Sequence, residues 1–133
     1  MLTITKRFHF CASHRLFNPI LSNEENKRIF QQCNQLHGHN FMMDITVSGP
    51  IDPTTGMIMN FHELKQIVGT YVISYFDHKN FETDIPEFKG NVQTVENLIR
   101  IIVDKLCGKW PKGIDLISLK IFETTDNWAE YSV

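Results

Sequence analysis

The stretch Cys33-Asn34-Gln35-Leu36-His37-Gly38-His39-Asn40 places two histidines two residues apart, and a cysteine four residues before the first of them. In an extended strand, residues i and i+2 point to the same face, about 6.5–7 Å apart along the backbone. The alternation continues after the motif, with apolar residues on the histidine face: Phe41, Met43, Ile45 and Val47. The pattern predicts a strand on which His37 and His39 can reach one metal ion.

A second alternating stretch upstream, Phe8-His9-Phe10-Cys11-Ala12-Ser13-His14, ends in a third histidine. Counting in twos puts His14 on the apolar face and Cys11 on the opposite, polar face. If the two strands pair antiparallel, the C-terminal end of the first lies beside the N-terminal end of the second. We therefore expect His14, His37 and His39 to meet at one corner of a sheet.

Three neutral imidazoles with an open fourth position are typical of a catalytic zinc site, whereas structural zinc sites normally have four protein ligands. One alternative is that Cys33 is the fourth ligand and closes the site. Another is that the three histidines are ordinary hydrogen-bonded side chains. Three histidines on matching faces beside a thiol favour the metal site, with Zn²⁺ as the expected cofactor.

The whole chain of 133 residues predicts one domain, residues 1–133, with 42% hydrophobic and 21% charged residues. A formal net charge of −2 gives no reason to expect nucleic acid or an anionic membrane as a partner. No apolar run is long enough to span a bilayer and the N-terminus lacks the core of a signal peptide, so a cytoplasmic location is expected. Three cysteines without C-x-x-C spacing argue against a disulfide framework, and Cys11 and Cys107 are interpreted as small buried residues.

Helix signals follow the first strand. Ser22 and Glu25 form a predicted capping box at the start of a short surface helix. Asn60 and Thr94 are predicted to cap two longer helices. The apolar stripes of these two helices are Phe61, Leu64, Val68, Tyr71, Val72 and Tyr75, and then Val95, Leu98, Ile99, Ile102 and Leu106.

Two further strands are predicted near residues 114–124 and 128–133. An irregular stretch, residues 77–93, separates the two long helices and is too long for a simple connector. The predicted fold is α+β, a four-stranded antiparallel sheet with two main helices packed on one face. On the third strand Glu123 continues the row of Ile117, Leu119 and Ile121. A buried carboxylate there needs a partner, unless the strand ends and Glu123 turns to water.

The chain also resembles the 6-pyruvoyltetrahydropterin synthase and 6-carboxytetrahydropterin synthase family of tunnelling-fold proteins. The resemblance covers nearly the whole chain and is carried by motifs at residues 10–16, 33–40, 55–61, 77–80, 94–97 and 123–124, with a later Tyr131. It implies a sheet that joins other copies through its edges into a barrel. It also implies a homohexamer, a dimer of trimers, with sites at subunit interfaces.

By that resemblance the substrate is 7,8-dihydroneopterin triphosphate and the three histidines bind zinc. Cys33 would be the catalytic base or acid, assisted by Asp77 and His78. Glu123 would bind the 2-amino and ring N–H edge of the pterin and would also take part in the proton relay. From the residues alone, Asp77 ends a helix and His78 is a solvated loop histidine. Thr94 is a helix cap and Glu96 a first-turn carboxylate, and both remain secondary candidates for substrate binding.

The product is the least determined feature. Cys33 lies four residues before His37, with Leu36 directly before the histidine, as in enzymes that make 6-carboxytetrahydropterin for queuosine and related deazapurines. The insert at residues 21–26 and the spacing from His14 to Cys33 instead resemble the pyruvoyl-forming enzymes of tetrahydrobiopterin biosynthesis. We weight the active-site loop more heavily and expect the carboxy product. A zinc-binding module without catalysis is the alternative from another class.

Overall fold

The structure, a computed structural model, describes residues 1–133, and its centre is a pair of long antiparallel strands. Strands β1 (Ile4–His14) and β2 (His37–Ser48) pair over their whole length, from Ile4 opposite Val47 to His14 opposite His37. Alternating burial along both strands confirms the predicted apolar faces. The strand ends therefore meet as expected, which puts the histidines at one corner.

The sheet has five strands and is mixed, so the expectation of four strands in a wholly antiparallel sheet was wrong. The order is β3-β1-β2-β4-β5, with β3 (Lys79–Asn80), β4 (Asp115–Phe122) and β5 (Trp128–Ser132). Strand β3 is parallel to β1 and pairs with it only opposite Ala12 and Ser13. Two residues are too few to show an alternating pattern, so this strand left no signal in the sequence.

The helices are α1 (Asn23–Phe30), α2 (Phe61–Val68), α3 (Ser74–Phe76), α4 (Phe81–Asp84) and α5 (Val95–Leu106), with 3₁₀ turns at Gln31–Asn34 and Pro86–Phe88. The three predicted caps are confirmed. The Ser22 hydroxyl accepts from the Glu25 N–H at 3.1 Å within a capping box, Asn60 accepts from the His62 N–H at 2.8 Å, and Thr94 accepts from the Asn97 N–H at 3.2 Å. None of these helices combines the length and apolar composition that a membrane crossing requires.

A π-helical segment, Gly69–Ile73, joins α2 to α3 and changes which residues face the core. Leu64, Val68, Val72 and Phe76 are buried, whereas Phe61 and Tyr71, which the predicted stripe included, are half exposed. The wider turn of a π-helix rotates the following residues relative to an α-helix. The stripe predicted from a regular 3.6-residue period was therefore partly wrong.

The core lies between the apolar sheet face and the helices, and contains 21 buried hydrophobic residues. A β-bulge at Thr46/Val47 places Leu116, not Ile117, opposite Val47. The bulge removes Ile117 from the row of Leu119 and Ile121. The interpretation of Cys11 and Cys107 as buried was also wrong: Cys107 is exposed and Cys11 is only partly buried.

Candidate metal centre

The register of β1 and β2 brings His14, His37 and His39 to one corner of the sheet. Their ring centroids are 4.6 Å apart for His14 and His37, 5.1 Å for His14 and His39, and 4.9 Å for His37 and His39. One nitrogen from each ring lies within 4.8 Å of the other two. Because His37 and His39 share a face and His14 is directly opposite His37, the convergence follows from strand pairing.

Backbone carbonyls fix two of these rings. The Nδ1 atom of His14 is 2.7 Å from the carbonyl oxygen of Gln93, and Nδ1 of His37 is 2.7 Å from the carbonyl oxygen of Gln35. A carbonyl only accepts, so each Nδ1 carries the proton and leaves the Nε2 lone pair free. Metal-binding histidines commonly donate their second N–H in this way.

The free nitrogens have no other partner. The Nε2 atoms of His14 and His39 are buried and accept no hydrogen bond. An unsatisfied buried polar atom costs about 1–3 kcal/mol, so a bound cation would satisfy an unmet requirement of the fold. The buried, unpaired Nε2 atoms of His14 and His39 therefore fit a bound metal ion.

Burial favours the neutral form of His14 and His39, the form that binds a metal ion. Burial lowers the pKa of His14 to about 4, although its bond to Gln93 acts in the opposite direction. Burial, and then the nearby His37, lowers the pKa of His39. Phe41 and Phe81 pack against His14, with ring centroids at 6.1 and 5.8 Å, and shield it from water.

Three nitrogen ligands without a fourth protein ligand match a catalytic zinc site better than a structural one. The Cys33 sulfur is exposed and is not among the atoms that converge at the histidine corner. The closed site that the sequence left open, with Cys33 as the fourth ligand, therefore has no geometric support within one chain.

Cys33 lies in the 3₁₀ turn Gln31–Asn34, just before β2. The Leu16 N–H donates to the Cys33 carbonyl at 2.8 Å, and the Asn34 side-chain amide donates to the Leu16 carbonyl at 3.1 Å. Leu16 is two residues beyond His14, so these two bonds attach the turn that carries Cys33 to the chain just after the histidine corner. This role of Asn34 leaves no signal in the sequence, because its partner is a backbone atom 18 residues away.

Asp77 and His78 are paired with each other, and neither is hydrogen-bonded to Cys33. The His78 Nδ1 atom is 3.0 Å from the Asp77 Oδ1 atom, which also accepts from the Cys11 N–H at 3.0 Å. That bond is the main cause of the lowered pKa of Asp77. The pair thus contacts Cys11 on the polar face of β1, and no hydrogen bond joins it to Cys33.

Glu123 follows the end of β4 and is half-buried. The sequence left open whether it is buried or turned to water, and the structure places it between these two. Burial raises its pKa; the nearby His37 lowers it and the Glu96 carboxylate raises it. These influences place Glu123 within electrostatic range of both His37 and Glu96. Thr94 is occupied as the cap of α5.

Gln93, which the sequence did not indicate, connects several of these parts. It is buried, its backbone carbonyl binds His14, and its side-chain Oε1 accepts from the Arg15 N–H at 3.2 Å. A buried glutamine directly before a helix cap was the available signal, although it does not identify a partner. Gln93 thus holds the end of β1 from the side of α5.

Comparison with known proteins shows the family of the chain. Residues 3–133 match the sequence profile of a family described as 6-pyruvoyl tetrahydropterin synthase. The chain is 42% identical over 130 residues to the human 6-pyruvoyl tetrahydrobiopterin synthase, covering 96% of this chain and 89% of the human protein. It is 34% identical over 102 residues to an Archaeoglobus fulgidus protein provisionally named 6-carboxy-5,6,7,8-tetrahydropterin synthase, covering 75% and 78%.

The fold agrees as well. The structure of Caenorhabditis elegans 6-pyruvoyl tetrahydropterin synthase superposes with a TM-score of 0.90 at 34% sequence identity. The superposition covers 99% of this chain and 95% of that one. Both the sequence and the fold are therefore similar over nearly the whole length.

Proposed function

Because the chain belongs to the 6-pyruvoyl tetrahydropterin synthase family, we propose that it is a zinc-dependent lyase that converts 7,8-dihydroneopterin triphosphate to a 6-substituted tetrahydropterin. The observation that carries the zinc dependence is the pair of buried Nε2 atoms, on His14 and His39, that accept no hydrogen bond. Together with His37 they provide three neutral nitrogen ligands. When bound, zinc acidifies the side-chain hydroxyls and adjacent C–H bonds of the substrate.

Cys33 is the proton-transfer group in this reaction. Its exposed thiol is free of the metal ligands, so it can accept a proton from the activated C–H bond and return it. The sulfur accepts that proton as the thiolate, which is the basic form of cysteine. The ordered turn fixes the thiol against the histidine corner through Leu16 and Asn34.

Glu123 binds the pterin ring. Its carboxylate is half-buried, accepts no hydrogen bond within the chain and adjoins His37. The 2-amino and ring N–H groups of a pterin form an edge with two parallel donors, and one carboxylate can accept both. Glu96 lies close enough to influence Glu123 and is the secondary candidate for substrate binding, while Thr94 orders the start of α5 behind it.

Asp77 and His78 act on a thiol in another subunit. Within one chain they contact Cys11 and not Cys33, so a site formed between copies reconciles their position with a role in assisting Cys33. Both edges of the sheet are open for such assembly. Strand β1 is covered by β3 only at Ala12 and Ser13, and β5 is paired on one side. Pairing of these edges between copies would close a barrel.

The expected assembly is a homohexamer of two trimers, and native mass spectrometry measures it directly. Glu130→Pro removes one backbone N–H donor from the edge of β5. We expect this variant to form a smaller fraction of hexamer. The control is Glu24→Gln on the exposed surface of α1, which leaves the assembly unchanged. A wild-type protein that remains monomeric at micromolar concentration would contradict the assembly and the shared site together.

For the product, the similarity favours 6-pyruvoyltetrahydropterin. The relatives that are 40–43% identical over 96% of the chain are named as pyruvoyl-forming synthases. The carboxy product, which the sequence ranked first, becomes the second candidate. It is supported by the short spacing from Cys33 to His37, and by the A. fulgidus relative.

Mass spectrometry of the product distinguishes the possibilities. Zinc-loaded protein is incubated with 7,8-dihydroneopterin triphosphate. Release of triphosphate with a pyruvoyl pterin and no acetaldehyde supports the first candidate, and acetaldehyde with a carboxy pterin supports the second. The Cys33→Ala protein is the matched control and should bind zinc without forming either product. Absence of both products with the wild-type protein would favour the non-catalytic zinc module.

A further inference from the structure

We propose that Cys11, Asp77 and His78 form a second metal site, separate from the histidine corner, that binds a thiophilic divalent cation such as Zn²⁺. The Cys11 sulfur, an Asp77 carboxylate oxygen and a His78 ring nitrogen all lie within 4.8 Å of one another. Ligand bonds of 2.0–2.3 Å at tetrahedral angles correspond to ligand separations of about 3.3–3.8 Å. Small side-chain rotations therefore bring the three atoms onto one ion.

The three groups are already held together without an ion. The Cys11 N–H donates to Asp77 Oδ1 at 3.0 Å, and His78 Nδ1 lies 3.0 Å from the same oxygen. A cation replaces the two side-chain protons, that of the thiol and that of Nδ1, and leaves the backbone bond in place. Binding therefore requires little reorganisation.

The backbone at His78 is held in an unfavourable conformation that keeps the cluster together. His78 has φ of 62°, in the left-handed region that non-glycine residues rarely adopt. Its N–H donates to the Cys11 carbonyl at 2.7 Å, just before the parallel pairing of β1 with β3 begins. Such strained conformations are concentrated at functional positions.

The donor set indicates the type of ion, and the surroundings allow access. A thiolate with an imidazole and a carboxylate selects zinc and related transition metals over Mg²⁺ or Ca²⁺. The His78 side chain is 79% exposed. A cleft of about 470 Å³, lined also by His39, Asn40, Asn80 and Asp84, leaves room for a water as fourth ligand.

The second site lies on the polar face of β1, opposite the face that presents His14. The two sites share no residue, so they should bind metal independently. An ion on Asp77 and His78 would also withdraw both from assisting Cys33. The site would therefore make excess metal inhibitory; this consequence, unlike the binding itself, rests on the proposed function.

Metal stoichiometry and cobalt absorption test the site without pterin turnover. The wild-type protein should bind two Co²⁺ ions per chain, with a thiolate-to-cobalt charge-transfer band. Cys11→Ser should bind one ion and lose the band, while its remaining ion at the histidines shows that the protein is folded. Cys33→Ser should keep two ions and the band.

A single ion in the wild-type protein, or a band that survives Cys11→Ser and disappears in Cys33→Ser, would overturn the second site. Excess Zn²⁺ is then added to the pterin assay. The rate should fall in the wild-type protein and not in Cys11→Ser, whose altered residue takes no part in the proposed reaction. An equal fall in both would refute the inhibitory role.

Discussion

The histidine corner and the Cys33 turn are a few residues apart in the fold, but different forces hold them. The corner is built from two paired strands and packs against Phe41 and Phe81 of the core. The turn is an exposed 3₁₀ segment that two hydrogen bonds attach to Leu16. The metal ligands are therefore placed by the register of the sheet, and the thiol by a few local bonds.

Because different forces hold the two regions, a mutation in one region should leave the other region intact. Loss of a histidine should remove the metal while the buried sheet remains intact, because the ligands add to a core that is already complete. Loss of a bond at the turn should move the thiol while the metal stays bound. Within the turn, Gln31 has a positive φ of 54°, an unfavourable conformation that its hydrogen bonds must sustain.

The largest effect is expected for His39→Ala. Removing one of three ligands leaves a two-nitrogen site that retains zinc poorly. The proposed activity should fall at least about 1,000-fold, since a metal ion contributes several kcal/mol to such reactions. Zinc content by mass spectrometry and product formation are measured together.

The matched control is His9→Ala, on the exposed polar face of β1, which should change neither zinc content nor activity. If the His39→Ala protein kept as much zinc per chain as the wild-type protein, the histidine corner would not be a metal centre.

The second effect is expected for Cys33→Ala, which tests the separation directly. Zinc content should stay at the wild-type level, because the sulfur is not among the converging ligand atoms. Turnover should fall by about 100- to 10,000-fold, the usual contribution of a general base. Zinc analysis and single-turnover rates provide the measurement.

Cys107→Ala serves as the control, since Cys107 is also exposed but lies after α5, away from the turn. Loss of zinc in Cys33→Ala but not in Cys107→Ala would show that the Cys33 sulfur is a zinc ligand. The site would then be a closed one with four protein ligands.

These regions also differ in how far the sequence could predict them. Alternation along β1 and β2 was sufficient to predict the histidine corner, because burial forces a period of two and antiparallel pairing fixes which ends meet. The caps at Ser22, Asn60 and Thr94 were likewise local in sequence.

Features that depend on distant partners could not be predicted. The contact of Asn34 with Leu16 and that of Asp77 with Cys11 join residues 18 and 66 positions apart through backbone atoms, which any residue offers. The bulge at Thr46/Val47 and the π-helical segment, Gly69–Ile73, change the period locally without a residue that requires them. Tertiary packing decides such details.

The third effect, expected for Asn34→Asp, sharpens the account of the turn. Aspartate has the same shape but no N–H donor, so the bond to the Leu16 carbonyl is lost. One such bond contributes about 0.5–1.5 kcal/mol, so kcat should fall by about 2- to 10-fold with KM nearly unchanged. Zinc content should not change.

The control is Gln32→Glu, a change of the same type in the same turn, at a side chain that makes no hydrogen bond in the structure. If both variants lowered kcat equally, the added charge and not the lost donor would be responsible. The rate of Cys33 alkylation gives an independent measure of thiol placement.

The smallest effect is on stability at acid pH. It tests whether zinc binding at the histidine corner depends on the hydrogen bond between Asp77 and Cys11, beside β3 at the edge of the sheet. The Cys11 N–H holds the pKa of Asp77 below its usual range. A carboxyl group with a depressed folded pKa stabilises the protein above its unfolded pKa of about 3.9, and that contribution is lost as pH falls through the folded pKa. Asp77→Asn should therefore reduce the loss of stability below about pH 4. Because the carboxyl is partly exposed, the difference should stay below about 1 kcal/mol.

Urea unfolding of both proteins between pH 2 and 7, at a fixed zinc concentration, measures this difference, with Asp126→Asn as the control at an exposed turn carboxylate. The expected result is a flatter acid limb for Asp77→Asn, with no change in the zinc bound at the histidines. The strand register that places His14 and His37 involves only β1 and β2 and does not require β3 or the carboxylate beside it. If Asp77→Asn also released that zinc, the histidine corner would depend on the edge strand. The claim that strand register alone places the metal ligands would then be wrong.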